Sequence, residues 1–201
     1  MTDKPMIKLL VGGQNAGKST WVNNHYDVVK GKPDLGRHFV ERGGMEWVVL
    51  SRDRVRELYA EQKGLVYQET FAPEHNQSVN TRFFHLLDAC LSERDNIMID
   101  NTNMTKEDRA QILEHVENCS TDYFKEALVF KVPVEEAIKR NAARDAKWQA
   151  QGKPERAIPE AIIRGTYDKF EMPTKAEGFD MIREAHQKGA AAASAANGKA
   201  R

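Results

Sequence analysis

The sequence is poor in cysteine, aromatic residues and long apolar runs, and each shortage excludes a class of protein. Of 201 residues, two are cysteines and 8% are aromatic. Cys90 and Cys119 stand outside any Cys-x-x-Cys pair, and no histidine is recognised at ligand spacing. We therefore expect no disulfide or structural zinc, and both cysteines to be buried small hydrophobic side chains. The apolar stretches, such as Met6–Val11, fall far below the ~20 residues that span a bilayer. Met1–Pro5 is no signal peptide, so an intracellular protein without membrane contact is predicted.

An excess of charge of either sign is also missing. The 30 lysines and arginines balance 30 aspartates and glutamates. Neutrality argues against a surface coated in positive charge, which is the usual sign of bulk binding to nucleic acid. One segment, Ala137–Arg156, holds six basic residues against two acidic ones. It is either a solvated helix face or a local basic patch that meets an anionic ligand.

Short apolar runs alternate with longer helical patterns along the chain. Strands are predicted at Met6–Val11, Trp47–Leu50, Ile97–Ile99, Ala127–Val132 and Phe179–Arg183. Helices are predicted at Lys18–His25, Asp53–Gln62, Pro73–Glu93, Lys106–Glu117, Val134–Gln149 and Pro159–Glu171. This order predicts an α/β fold: a parallel sheet of about four or five strands flanked by helices. We expect one domain over residues 1–186 and a low-complexity, Ala-rich tail over 187–201.

A glycine-rich loop follows the first predicted strand and opens the first helix. It satisfies the pattern G-x-x-x-x-G-K-[ST], whose backbone N–H groups cradle a nucleoside triphosphate. In that pattern Lys18 reaches the β and γ phosphates, and the hydroxyl of Ser19 binds Mg²⁺. The predicted ATP-binding residues are Gly12, Gly13, Gln14, Asn15, Ala16, Gly17, Lys18, Ser19 and Thr20.

After the second predicted strand, Asp53 and Arg56 stand three residues apart at the start of a helix and share one face of it. At the carboxyl edge of the sheet, the carboxylate is suited to accept a proton from an attacking hydroxyl. The guanidinium is suited to hold a phosphate of the acceptor. The competing interpretation makes Asp53 a helix N-cap, a common role for Asp after a strand.

The third predicted strand ends at Asp100, where a Walker-B type carboxylate would orient Mg²⁺ and Ser19. The metal ligands predicted are therefore Ser19 and Asp100. Asn101 to Asn103 follow, and they are either part of the site or simple turn residues before Thr105 as the next N-cap.

The fourth predicted strand leads into a helix that carries Arg140 and Arg144 on one face. A polar segment with Gly152 and Pro154 follows this helix. We interpret residues 137–158 as a lid that closes over the nucleotide and brings arginines to the transferring phosphoryl group.

Together these motifs resemble the kinase domain of the bacteriophage-type polynucleotide 5′-hydroxyl kinases, within the P-loop phosphotransferase superfamily. The resemblance covers about residues 6–171. Its most distinctive strings are R-D-x-x-R at Arg52–Arg56, D-x-T-N at Asp100–Asn103, and V-P followed by K-R-N-x-x-R within Val132–Arg144. Two features depart from the family pattern: Arg54 replaces a second acid after Asp53, and the lid is longer.

The resemblance implies an ATP- and Mg²⁺-dependent kinase that phosphorylates the 5′ end of a nucleic acid. It also implies a cytoplasmic enzyme, which would act in the cytoplasm of the host cell if a phage encodes it. By that resemblance Lys18 and Ser19 hold ATP and Mg²⁺, and Asp53 is the general base. Arg56 grips the acceptor-side phosphate, Arg144 acts on the transition state, and Arg140 assists on the nucleotide side. No protein partner is implied.

Two other functions stay open on the sequence. One is a P-loop kinase of a different hydroxyl, in a nucleoside, a small metabolite or a hydroxymethylated base of phage DNA. The other is a nucleotide-dependent switch or ATPase without an acceptor. The stretch Gly31–Gly44, with its four basic side chains, is predicted to be a mobile loop that lines an acceptor channel.

Overall fold

The computed structural model describes residues 4–32, 36–119, 122–152 and 158–185. Strands and helices alternate through this part of the chain. The strands are β1 (Met6–Val11), β2 (Asp27–Val28), β3 (Arg37–Arg42), β4 (Met45–Leu50), β5 (Ile97–Ile99), β6 (Phe124–Val129) and β7 (Met181–Glu184). The α-helices are α1 (Lys18–His25), α2 (Arg52–Lys63), α3 (Pro73–Glu93), α4 (Lys106–Asn118), α5 (Val134–Gln149) and α6 (Glu160–Asp168). Two short 3₁₀-helices span Tyr67–Phe71 and Lys175–Glu177.

The strands form one sheet in the order β2-β3-β4-β5-β1-β6-β7. Five neighbouring strands, in the order β4, β5, β1, β6 and β7, pair in parallel. At one edge, β2 pairs antiparallel with β3, and β3 pairs antiparallel with β4. The predicted α/β fold is confirmed, with two more strands than expected. All five parallel strands overlap the five predicted from apolar runs, although β6 begins and ends three residues earlier than predicted.

One of the two strands that were not predicted, β3, corrects the prediction of a mobile loop over Gly31–Gly44. Arg37–Arg42 forms β3, which turns through Gly43 and Gly44 and pairs back onto β4. Both glycines have positive φ, 61° and 77°, as a tight hairpin turn requires. The strand lacks an apolar run because it lies next to the edge and buries only Val40 among its six residues.

Alternation along the strands sends side chains to two cores. On one face, residues of β1, β4, β5 and β6 pack against α2, α3 and α4, with Leu9, Leu50 and Phe83 fully buried. On the other face, Leu10 and Met98 pack against Val22 of α1. The parallel strands β1, β4, β5 and β6 therefore have both faces covered, and their carboxyl ends meet the loops that carry the predicted site.

Several predictions concern residues beyond the described ranges. The tail at 187–201 lies outside them, as does part of the lid, residues 153–157. The described part of the lid consists of α5 from residue 137 onward, residues 150–152 and Ile158. Among the described residues, no helix is both long enough and apolar enough to cross a bilayer.

The two cysteines differ in their surroundings. Cys90 is fully buried, as predicted, and burial raises its pKa to about 12. Cys119 is only half-buried, so its prediction as a core residue is wrong. It lies one helical turn after His115 and close to Asp88 of α3. The reading that no histidine stands at ligand spacing is also wrong, because residues four apart share a helix face.

Candidate active site

The glycine-rich loop wraps around the side chain of Lys18 at the carboxyl end of β1. Gly17 has φ of 90° directly before α1, and Asn15 also has positive φ. The Lys18 Nζ donates hydrogen bonds to the carbonyls of Gly12 and Gly13, at 2.7 and 2.9 Å. Burial lowers the pKa of Lys18, while the charges of Asp100 and Asp53 oppose that shift.

Asp100 follows β5 and faces the start of α1. The Ser19 hydroxyl donates to its Oδ2 at 2.6 Å. Burial raises the pKa of Asp100, and the nearby charge of Lys18 and the hydrogen bond from Ser19 counteract this. A hydroxyl and a carboxylate oxygen in contact beside the loop are donors of the kind that Mg²⁺ prefers, so this pair fits the predicted metal.

Asp53 lies in the first turn of α2, at the same edge of the sheet. The N-cap position of α2 belongs to Ser51, so the N-cap interpretation of Asp53 is wrong. The exposed Asp53 carboxylate accepts a hydrogen bond from the Tyr67 hydroxyl at 3.0 Å. Its charge acts on both Lys18 and Asp100, which brings three predicted site residues into one electrostatic cluster.

Arg56 is buried beside Asp53 and bonded to the protein. Its Nη1 donates to the Thr70 carbonyl at 2.5 Å, and its Nη2 donates to Asn76 Oδ1 at 2.7 Å. The guanidinium also lies 4.0 Å from the ring centre of Phe71. Burial lowers its pKa. In this structure Arg56 joins α2 to the 3₁₀-helix and α3, and its predicted grip on an acceptor phosphate stays a prediction.

The asparagines after Asp100 hold the ends of strands together. Asn101 Oδ1 accepts from the backbone N–H of Arg52 at 2.8 Å. The buried Asn103 donates from Nδ2 to the carbonyls of Leu10 and Ile99, at 2.9 and 3.3 Å. Thr105 caps α4, as predicted, by accepting from the Asp108 N–H. This turn therefore fixes the spacing between the phosphate loop and α2.

The lid helix α5 is connected to the phosphate loop through Asn141. Its Oδ1 accepts from Asn15 Nδ2 at 3.3 Å and from Arg144 Nη2 at 3.2 Å, and its Nδ2 donates to the Ile158 carbonyl. Arg140 donates to Glu136 at 2.8 Å and, at 3.5 Å, to the Asn15 carbonyl. Both predicted lid arginines thus belong to a helix in contact with the loop.

Helix α6 contacts the loop from a second direction. The Tyr167 hydroxyl donates to the Gln14 carbonyl at 3.0 Å, and Gln14 Nε2 donates to the Thr166 hydroxyl at 3.2 Å. The Tyr167 ring lies so close to Gly13 that a Cβ there would stand 2.2 Å from a ring carbon. Gly13 is therefore required by the approach of α6.

A buried arginine of α4 binds the segment that follows α6. Arg109 of α4 is fully buried and pairs with both oxygens of Glu177, at 2.7 and 3.0 Å. Its Nη1 also donates to the carbonyls of Asn103, Met104 and Glu171. Arg109 consequently links the turn after Asp100 to the chain that follows the lid.

A protein-family model described as an AAA domain, AAA_33, matches residues 7–171. The chain belongs to the AAA_33 family. The match spans the phosphate loop, Asp53, Asp100 and both lid arginines, and it ends three residues after α6.

Solved structures similar to this AAA_33 chain confirm the P-loop kinase fold. The Pnkp1/Rnl/Hen1 RNA repair complex contains a chain that superposes with a TM-score of 0.60 and 21% identity, covering 84% of this chain and 45% of that one. A putative kinase from Chloroflexus aurantiacus gives 0.58 at 14% identity, covering 92% and 86%.

A curated relative has a name that includes its substrate. The L-seryl-tRNA(Sec) kinase of Methanococcus maripaludis is 23% identical over 176 residues, which cover 88% of this chain and 56% of the relative. This chain thus spans little more than half the length of that relative.

The sequence predicted the loop, Asp53, Asp100 and the lid arginines as site residues, whereas it did not predict the contacts of Tyr167, Thr166 and Arg109. The phosphate-loop motif shows that a glycine stands at position 13, but no local pattern shows what packs against it. The string K-R-N-x-x-R does contain Asn141, and an asparagine buried on an otherwise charged helix is a signal that it bonds to another element.

Proposed function

We propose that the chain transfers the γ-phosphate of ATP to the 5′-hydroxyl of a polynucleotide, with Asp53 as general base. The single observation that carries the proposal is the position of Asp53. An exposed carboxylate in the first turn of α2 interacts electrostatically with the phosphate-loop lysine and with Asp100. A switch or simple ATPase does not require a carboxylate there, whereas a kinase needs an acceptor for the hydroxyl proton.

The nucleotide side of the mechanism follows from the loop. Backbone N–H groups and the N-terminus of α1 would hold the phosphates, and Lys18 would exchange its two carbonyl partners for phosphate oxygens. Ser19 and Asp100 would hold Mg²⁺, which neutralises charge on the phosphates when bound. Arg140 and Arg144 would approach from α5 to stabilise the transferring group, and closure of the lid would exclude water.

The acceptor side is supported by a groove that includes a hydrogen-bond partner of Arg56. Asn76, which binds Arg56, lies at one end of a groove of about 720 Å³ along α3. Amides and an aromatic ring line it, among them Gln77, Asn80 and Phe84. Such side chains suit single-stranded nucleic acid, which is bound by stacking and hydrogen bonds. The similar chain in an RNA repair complex and the tRNA kinase relative favour a nucleic acid over a small metabolite.

The test is an acceptor panel with labelled ATP. The acceptors are 5′-hydroxyl oligonucleotides of RNA and DNA, hydroxymethyluracil DNA, seryl-tRNA, nucleosides and 3′-mononucleotides. We expect label at the 5′ end of the oligonucleotides. Label that enters only another acceptor would refute the polynucleotide assignment and retain a kinase. Hydrolysis of ATP at a rate that no acceptor changes would refute the kinase.

The role of Asp53 is tested by Asp53→Asn, with Tyr67→Phe as the matched control. Asp53→Asn should lower kcat by about 10²- to 10⁴-fold, the usual contribution of a general base, with ATP affinity nearly unchanged. Tyr67→Phe removes the hydrogen bond to Asp53 but keeps the carboxylate, so its loss should be much smaller. Transfer at the normal rate by Asp53→Asn would exclude Asp53 as the base.

A further inference from the structure

A cluster of three different metal-ligand side chains lies away from the phosphate loop, between α3 and the end of α4. It consists of Asp88, His115 and Cys119. One donor atom from each lies within 4.8 Å of the other two. All three side chains are half-buried, so they are accessible to an ion yet partly shielded from water.

The backbone arranges two of these ligands in advance. His115 lies in the last turn of α4 and Cys119 is its C-cap residue, with the Cys119 N–H donating to the His115 carbonyl. Their side chains therefore share one helix face. The Phe84 ring packs against the His115 imidazole, with ring centres 4.7 Å apart, and limits its rotation. Asp88 reaches the same point from α3.

One of the two distances from Asp88 to the other ligands matches a tetrahedral site, and the other is shorter. Bonds of roughly 2.0 to 2.3 Å place neighbouring ligand atoms about 3.3 to 3.8 Å apart. Cys119 Sγ lies 3.7 Å from Asp88 Oδ1, which already matches. His115 Nε2 lies 2.6 Å from the same oxygen, so the carboxylate would need only a small rotation to admit an ion between them.

We propose that Asp88, His115 and Cys119 bind Zn²⁺ or a similar divalent transition metal. A thiolate, an imidazole and a carboxylate form a donor set suited to zinc and poorly suited to Mg²⁺, which takes oxygen ligands. The fourth position faces the groove along α3. His85 lines the same groove but lies outside the group of three, so water would fill the fourth position.

This ion would cross-link α3 to the end of α4. Neither of the two helices contributes the base or the phosphate loop, so this metal is separate from the Mg²⁺ of the proposed kinase reaction. Its binding is expected to stabilise the fold, because a ligand that binds only the native state raises the unfolding temperature. The proposal does not depend on the acceptor or on kinase activity.

Cobalt provides the direct test, because a Co²⁺–thiolate bond gives a charge-transfer absorption that oxygen and nitrogen ligands do not. Full-length reduced protein, stripped with chelator, is titrated with Co²⁺ in excess Mg²⁺. We expect one equivalent to bind with the charge-transfer band, and Zn²⁺ to displace it. Zn²⁺ should also raise the unfolding temperature.

The variants separate this site from any other. Cys119→Ser should abolish the band, and His115→Ala should weaken Co²⁺ binding by at least about tenfold, since losing even an outer partner of a metal ligand has that effect. Cys90→Ala is the matched control, because Cys90 is the other cysteine and is fully buried in the core. It should keep the band. Absence of the band in the wild type, or its survival in Cys119→Ser, would overturn the proposal.

Discussion

The contact between Gly13 and Tyr167 makes a quantitative prediction about how α6 is coupled to the phosphate loop. A Cβ added to Gly13 would lie 2.2 to 2.8 Å from three ring carbons of Tyr167. Ordinary contact begins near 3.5 Å, so the ring or the loop must move by roughly 1 Å. The backbone of Gly13 does not have positive φ, and the cost of Gly13→Ala therefore comes from the clash.

Overpacking of this kind costs about 1 to 3 kcal/mol. Tyr167→Ala alone removes a half-buried ring and its hydrogen bond to Gln14, for a loss of about 2 kcal/mol, less than a fully buried aromatic. In the double variant the clash is absent, so Gly13→Ala should add almost nothing. The coupling energy is then about 1 to 3 kcal/mol, as large as the clash itself.

The assay is urea unfolding of the wild type, both single variants and the double variant, together with ATP affinity for each. Gly12→Ala is the matched control, because its Cβ would meet Phe130 and Ala16 rather than Tyr167. It should be equally harmful with or without Tyr167. Additive free energies for Gly13→Ala and Tyr167→Ala would refute the contact.

Three further predictions concern other parts of the site. Arg109→Met should destabilise the protein by about 3 to 5 kcal/mol in urea unfolding, because it leaves the buried Glu177 side chain without its cation; Arg164→Met, which breaks the ion pairs of Arg164 of α6 with Glu135 and Glu160 on the surface, should have a much smaller effect. Lys18→Met should flatten the pH dependence of stability. The folded-state pKa of Lys18 is lowered by burial, so the unfolded chain holds its proton more tightly, and wild-type stability should rise with pH between that lowered pKa and 10.5; a thermal unfolding series with the same slope in both proteins would contradict this. Asn141→Ala should raise KM for ATP more than it lowers kcat, measured by steady-state kinetics, because Asn141 orients Asn15 of the loop; an unchanged KM would exclude this role.

Local sequence was sufficient wherever a single element carries the information. The apolar run of β1, the glycine spacing of the loop and the start of α1 at Lys18 are determined by neighbouring residues, so strand, loop and helix all follow from the motif. The same holds for Thr105, whose capping hydrogen bond is made three residues away.

Tertiary structure decided what distant residues bring to the site. Arg56 has a charge that suggests phosphate binding, yet the fold surrounds it with Thr70, Asn76 and Phe71. Strand β3 escaped detection because it lies next to the edge of the sheet, where few side chains are buried, and it therefore carries little apolar pattern. The approach of Tyr167 to Gly13 spans more than 150 residues, and no local propensity encodes it.

The sequence by itself determined the chemistry available: a phosphate loop, a carboxylate after each of two strands and a helix with two arginines. These depend on residue type and spacing, which are local properties. Only the fold decided which of those groups face one another, because contacts between α5, α6 and the loop arise from packing on the sheet. The same packing brings Asp88 to His115 and Cys119; spacing along the chain pairs the histidine with the cysteine but does not reveal Asp88.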